Sequence, residues 1–178
     1  MKVNYLYLLH YPPAMKRSIV FTLVCALSGS AIIARSSLQT FDKAGFYAVI
    51  ASGKLEEIDK ELTLVTAAAI KEREAYEGAL LMRKAGLLSR AKEKLATFKS
   101  GYGKMESSIS IDSGNAEYHF LRLIIQEHAP KVVHYDKDRE KDSRIVIRAF
   151  PTLSPVLQKA IRDYCPHSKL LHETELNG

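Results

Sequence analysis

The chain is predicted to be all-α, with about seven helices arranged as stacked helical hairpins. Apolar residues recur at intervals of three and four through most of residues 38–166, and this spacing places them on one face of a helix. Short groups of Ser, Asp, Gly and Pro separate these segments, as turns require. No segment alternates apolar and polar residues between two turns, so no strand is needed. Short turns between helices favour hairpins packed side by side.

Three helices are predicted at the start of the domain. Gly53 separates the first two helices, and the third is rich in alanine. Gly78 and Gly86 in the third helix would let a neighbouring helix approach closely, although each costs ~1 kcal/mol of helix propensity relative to Ala. The predicted spans are 38–52, 55–67 and 67–88.

The fourth predicted helix, residues 89–111, has the clearest amphipathic pattern. Ser89 can cap its first turn, and the turn-forming residues 112–115 end it. The fifth helix, 116–128, is strongly apolar and is stopped by Pro130. The apolar stripe of the fourth helix consists of Ala91, Leu95, Phe98, Tyr102, Met105 and Ile109.

The sixth helix is predicted to run from Asp136 to about Phe150. Acids alternate with other residues over 134–142, but Lys141 stands where a calcium loop needs its glycine. We therefore expect this segment to be a solvated helix start, where acids are favoured. A capping serine followed by proline, Ser154 and Pro155, predicts the start of the seventh helix.

Residues 1–34 have the layout of a secretory signal peptide. The basic pair Lys16 and Arg17 precedes an uncharged, mostly apolar run, residues 18–34, that ends in small residues. The protein is therefore expected to be exported, either periplasmic or secreted. If the leader were not cleaved, it would serve as a membrane anchor, which is the only membrane contact expected.

The rest of the chain is predicted to form one domain followed by a tail. Cleavage is expected after Ala31 or Ala34, and we hypothesise that translation starts at Met15 rather than Met1. Residues 35–166 would then be a single helical domain. Residues 167–178 are polar and are predicted to form a frayed tail.

The composition excludes several classes of protein. Two Cys cannot build a disulfide framework or a four-thiolate zinc site. Half of the net charge of +6 comes from Lys2, Lys16 and Arg17 in the leader. The remaining basic residues are interspersed with acids and lack a stacking motif, so no nucleic-acid partner is expected.

A polar strip on the helix 115–128 is the candidate site. At about 100° per residue, Asn115, Tyr118, Arg122 and Gln126 fall on one side of the helix. The five donors of Arg122 suit a carboxylate or a phosphate, so the strip could recognise a peptide carboxylate or an anionic ligand. Alternatively, these residues tie neighbouring helices together, because half-buried polar groups usually satisfy protein partners.

No catalytic residue, metal site or cofactor is predicted. His119 and His128 point to opposite sides of their helix, and no His pair has the spacing of metal ligands. Neither a nucleophile elbow nor a phosphate-binding glycine loop is present. Cys165 is expected to be a small apolar filler. Enzymatic activity is therefore uncertain, and the sequence favours a non-enzymatic protein.

Two resemblances add to this interpretation. Phe98-x-x-Gly101 and the turn 112–118 resemble part of a tetratricopeptide repeat, and residues 75–78 resemble its first helix, so the likeness covers residues 75–118. The run 115–123, continued by residues 126–127 and 129–130, resembles small exported bacterial helical proteins of unknown function, and this likeness extends over most of residues 40–165. These resemblances imply a tetratricopeptide-like helical domain outside the cytoplasm, and they imply no activity.

The expected function is that of an exported, non-enzymatic domain for protein interaction or scaffolding in the cell envelope. Its partner would be an envelope protein or peptide, because stacked helical hairpins leave a face for peptides. The alternative is a small-ligand-binding or weakly enzymatic protein that uses the polar strip of the helix 115–128. Neither the identity of the partner nor the oligomeric state is predicted.

Overall fold

A computed structural model describes residues 41–130 and 133–177. Within these residues the chain forms seven α-helices and no strand, which confirms the predicted all-α class. Short 3-10 helices follow the last two α-helices. The α-helices are α1 (Lys43–Ser52), α2 (Leu55–Ala67), α3 (Arg73–Leu87), α4 (Ala91–Ile111), α5 (Ala116–His128), α6 (Arg139–Ala149) and α7 (Pro155–Tyr164).

The predicted signal peptide lies outside the described residues, as do the hypothesised start at Met15 and the cleavage sites at Ala31 and Ala34. These remain predictions. In the part of the chain that the structure describes, none of the helices combines the length and the apolar composition needed to cross a membrane.

Local chemistry sets three helix ends where the sequence predicts them. The Asn115 side chain accepts a hydrogen bond from the Glu117 amide at 3.1 Å and caps α5. The Ser154 hydroxyl accepts from the Leu157 amide at 3.4 Å and caps α7. Gly53 follows α1 with a φ of 62°, a left-handed conformation that glycine adopts without steric penalty.

Four predicted helix starts are wrong. Residues 41–42 and 68–72 are not helical, so α1 begins at Lys43 and α3 at Arg73 rather than at residues 38 and 67. Arg90 is still extended, so α4 begins at Ala91, one residue later than a Ser89 cap predicts, and it has no side-chain cap. His134 has a φ of 49°, and the turn that follows delays α6 from Asp136 to Arg139. At the starts of α4 and α6 the backbone is extended or turned, although the local sequence pattern favours a helix.

Helix α5 is the centre of the domain, since every residue from Ala116 to Gln126 is buried. Helices α3 and α4 cross at Gly78 and Gly101, where a Cβ on Gly101 would lie 2.6 Å from the Gly78 carbonyl oxygen. The close approach expected at Gly78 is thus present. The approach expected at Gly86 is not, because a Cβ there would meet no described atom within 4 Å.

The carboxyl-terminal segment is packed against the domain, so the expectation of a frayed tail is wrong. Leu171 and Leu176 are buried members of the hydrophobic core. The Glu127 carboxylate accepts hydrogen bonds from the Ser168 hydroxyl at 2.8 Å and the Lys169 amide at 2.7 Å. Apolar burial and these bonds together hold the segment, although most of its residues are polar.

Candidate functional site

Arg122, the central residue of the predicted polar strip, is engaged by carboxylates from two neighbouring helices. Its Nε and Nη2 donate to the two oxygens of Asp142 on α6, at 2.8 and 2.7 Å. Its Nη1 donates to Glu106 Oε2 on α4 at 2.9 Å. Burial alone would lower the pKa of the guanidinium, but its hydrogen bonds and the charges of these two acids raise that pKa overall. This geometry matches the alternative that Arg122 ties helices together.

Asp142 corrects the expectation of a solvated start for α6, because it is completely buried. Its Oδ1 also lies 2.7 Å from Nδ1 of His119, whose Nε2 lies 2.9 Å from the Ser113 carbonyl oxygen. Both ring nitrogens of His119 thus face oxygen acceptors. The cluster around Asp142 therefore links α4, α5 and α6 through paired charges.

The other strip residues are also turned into the protein. Asn115 caps α5, and its amide nitrogen donates to Asp112 at 3.3 Å. Tyr118 and Gln126 are buried. The side-chain oxygen and nitrogen of Gln126 have no hydrogen-bond partner among the described residues, which costs roughly 1–3 kcal/mol for a buried polar group. The structure thus places the four residues on one helix face but not on an open surface.

A second buried carboxylate, Glu117, receives three donors that the sequence does not reveal. The hydroxyls of Tyr47 and Tyr76 donate to its Oε1 at 2.6 and 2.5 Å. The Lys43 ammonium lies 2.9 Å from its Oε2. Each partner is at least 41 residues away in sequence, so no local pattern points to the cluster. These contacts of Glu117 connect α1 and α3 to the start of α5.

We expect the protein to lose stability steeply in alkaline solution. Burial, together with the charge of a neighbouring glutamate, raises the pKa of Tyr47, Tyr76, Tyr135 and Tyr164 above the ordinary value. Above about pH 10 the unfolded chain loses these protons while the folded chain keeps them, so each tyrosine lowers the free energy of unfolding by up to ~1.4 kcal/mol per pH unit.

Urea unfolding followed by circular dichroism between about pH 9 and 11 measures this slope. A Tyr135→Phe variant should show a shallower slope, because one such proton is removed. A free energy of unfolding that stayed constant through this range in the unmodified protein would contradict the prediction.

The amino-terminal half of α4 leaves its apolar stripe open. Met105 and Ile109 of the predicted stripe are buried, but Leu95 is 53% exposed and Tyr102 is 43% exposed. Phe98 is partly buried beneath them. The prediction that this stripe faces the core is therefore correct only for the carboxyl-terminal half of the helix.

A groove of about 510 Å³ lies between α1, α5 and α7. Its walls are mostly apolar, with small side chains such as Ala48 on α1 and larger ones such as Phe120 on α5. Arg83, His128 and Lys159 supply polar groups. The volume is within the range of roughly 300–1,000 Å³ typical of small-molecule sites. The sequence pattern alone gives no sign of this groove.

The described residues offer no chemistry for a metal or a thiol nucleophile. No group of three or more His, Cys, Asp or Glu in this part of the chain could hold a metal ion. Cys165 is buried, and its burial raises the pKa of the thiol, which lowers its reactivity.

No family model, curated protein or solved structure matches this chain. The resemblance of residues 75–118 to tetratricopeptide repeats therefore stays a prediction, as does the likeness of residues 115–123 to small exported helical proteins.

Proposed function

We propose that this protein is a non-enzymatic interaction domain of the cell envelope, and that the amino-terminal half of α4 docks an acidic amphipathic helix of a partner protein. The observation that carries the proposal is the stripe on α4, in which Leu95 and Tyr102 are exposed and Phe98 is half-buried against Tyr135. Ala91, Leu95, Phe98 and Tyr102 follow the spacing by which a helix presents anchors to a partner. Single exposed apolar residues are ordinary on protein surfaces, whereas a stripe in helical register is typical of an interface.

The charges beside the stripe favour an acidic partner. Lys92, Lys94 and Lys99 are exposed and form no ion pair with the described residues, whereas Arg90 and Glu93 pair with each other at 2.9 Å. A second copy of this chain would bring the same positive charges against each other. Acidic side chains along the partner helix would instead complement them and speed association at low salt.

The polar strip of Asn115, Tyr118, Arg122 and Gln126 supports this proposal as a structural element rather than as a ligand site. Arg122 already donates to Asp142 and Glu106, so an incoming anion would have to displace two protein carboxylates. The strip instead holds α4 and α6 on α5, and thereby fixes the position of the docking face.

Tetratricopeptide-like pairing and export belong to the same proposal. The crossing of α3 and α4 at Gly78 and Gly101 supports a hairpin of that kind, and such repeats offer one face to peptides. Export is argued only from the pattern of residues 1–34. Sequencing of the mature amino terminus should show cleavage after Ala31 or Ala34, and a mature chain that keeps the leader would contradict cleavage.

A designed acidic amphipathic peptide, with leucines in helical register and flanking glutamates, is expected to bind the protein. Replacing Leu95 by Gln should weaken binding by about tenfold or more, because it removes an apolar anchor worth ~1.4 kcal/mol or more. Isothermal titration calorimetry measures the affinity. The matched control is Leu64→Gln, since Leu64 is 51% exposed and belongs to α2 rather than to the docking face, and it should leave the affinity unchanged.

Two outcomes would contradict the proposal. A peptide with the same leucines but flanking lysines could bind as tightly as the acidic peptide, which would remove the role of charge. Alternatively, the protein could form dimers that Leu95→Gln abolishes, which would make a second copy the occupant of the face. Photocrosslinking from position 95 in cells should capture a protein with an acidic amphipathic helix, and capture only of proteins without one would also overturn it.

A further inference from the structure

We propose that the groove between α1, α5 and α7 binds an unbranched apolar chain with one anionic head group, and that Arg83 holds the head group. This site is independent of the docking face, because α4 contributes nothing to the groove. It is also distinct from the polar strip of α5, whose charged groups are already paired within the protein.

The shape of the groove suits a single extended chain. Three alanines line one wall because they recur in helical register on α1, and their small side chains leave space beside α7. The opposite wall follows α5 from Phe120 to His128, a rise of about 12 Å at 1.5 Å per residue. These walls would bury a chain of methylene groups, and removing such apolar surface from water is favourable. The alanines are Ala44, Ala48 and Ala51.

Arg83 is placed to receive the head group. Its Nε donates to the Ile50 carbonyl oxygen at 3.2 Å, which fixes the guanidinium at the end of α1. No carboxylate of the described residues lies within ion-pair distance of Arg83. Its remaining donors form the planar fork that carboxylate, sulfate and phosphate groups match.

The other charged groups of the groove do not cancel Arg83. Lys159 and Asp163 pair with each other at 2.6 Å, so together they contribute no net charge. His128 lies 2.8 Å from the Ile124 carbonyl oxygen through Nδ1, which therefore carries a proton. His167 also lines the groove and is not an acid. The groove therefore favours an anion over a neutral or cationic head group.

Gly53 makes the room that the guanidinium occupies. A Cβ at this position would lie 2.8 Å from Arg83 Nη2. Glycine has no side chain, and it also adopts the left-handed φ with which the chain leaves α1. The site for the head group is thus formed by the end of α1 together with a residue of α3.

Decanoate and decylamine below their micelle concentrations, and decanol below its solubility limit, test the head group and the chain together. Decanoate should bind the full-length protein and raise its melting temperature, because a ligand of the native state stabilises it by mass action. Decanol should bind at least about tenfold more weakly, and decylamine more weakly still. Decyl sulfate and decyl phosphate show which anionic head group the Arg83 fork prefers.

Two variants locate the binding. Ala48→Leu fills the groove and should weaken decanoate binding by about tenfold, whereas Ala67→Leu, at the exposed end of α2, should not change it. Arg83→Gln should weaken decanoate binding by a similar factor and leave decanol binding unchanged, whereas Arg144→Gln on the exposed side of α6 should affect neither.

The proposal is overturned if the three compounds bind with equal affinity, if none binds below its micelle concentration or solubility limit, or if Ala48→Leu binds decanoate as the unmodified protein does. Because Arg83 also bonds to Ile50, Arg83→Gln could fail to fold. In that case the comparison of head groups and the Ala48→Leu variant decide the question.

Discussion

Replacing Asp142 by alanine is expected to lower the free energy of unfolding by about 3–5 kcal/mol, which would be among the largest effects of any single substitution in this domain. The variant leaves Arg122 buried, at 3% exposure, with Glu106 at 2.9 Å and Asp138 at 3.8 Å as its remaining acids, and it removes the partner of His119. The costly result is a buried charge that has lost its bidentate partner, whereas the intact pair adds little net stability. Urea unfolding monitored by circular dichroism measures the change.

Asp163→Ala is the matched control. It also removes an aspartate from an ion pair, but Asp163 and Lys159 are exposed, so the expected loss is below about 1 kcal/mol. Asp142→Asn should fall between the two, because it keeps the shape and one acceptor. If Asp142→Ala and Asp163→Ala cost the same, then the cluster around Arg122 is not buried in solution as the structure has it.

Gly101→Ala is expected to destabilise the protein by about 1–3 kcal/mol or more, through overpacking at the crossing of α3 and α4. The new Cβ would lie 2.6 Å from the Gly78 carbonyl oxygen and 2.9 Å from the Met82 amide nitrogen. Because both are backbone atoms, no side-chain rotation relieves the contact, and the two helices must move apart. The gain in helix propensity of ~1 kcal/mol offsets only part of this cost.

Gly103→Ala, two residues further along the same helix, separates the two effects. A Cβ on Gly103 meets no described atom within 4 Å, so only the gain in helix propensity remains. This variant should therefore be more stable than the unmodified protein by up to ~1 kcal/mol. Thermal unfolding of both variants provides the measurement. Equal stabilisation by Gly101→Ala and Gly103→Ala would show that α3 and α4 are not in close contact there.

The helices and several of their ends were predictable because the interactions that define them are local. The Asn115 side chain caps its own helix two residues on, and the Ser154 cap acts three residues on. Signals of this kind act within one turn of helix. The burial of Leu171 and Leu176 was not predictable in this way, because two leucines in a polar segment do not show the periodic spacing of a helix or a strand.

The candidate site was only partly predictable, because periodicity gives the face of a residue and not its partner. The helical wheel grouped Arg122 with its polar neighbours. It could not show that Asp142, 20 residues away, would meet Arg122 in the core, or that Tyr47, 70 residues away, would donate to Glu117. Likewise, the regular spacing of apolar residues along α4 does not indicate which part of the helix packs against a neighbour. Those outcomes depend on tertiary packing.

The hydrogen bonds that Glu127 accepts from Ser168 and Lys169 limit how the carboxyl terminus can be truncated or tagged. A version cut after Pro166 would keep the Tyr164 hydroxyl as a donor to this carboxylate but lose the other two donors, and the core would lose two buried leucines. An affinity tag joined directly to Leu176 would disturb the packing of the buried leucines, whereas a tag on a long hydrophilic spacer would not. Residues 168–176 therefore help to hold the domain together and are not dispensable.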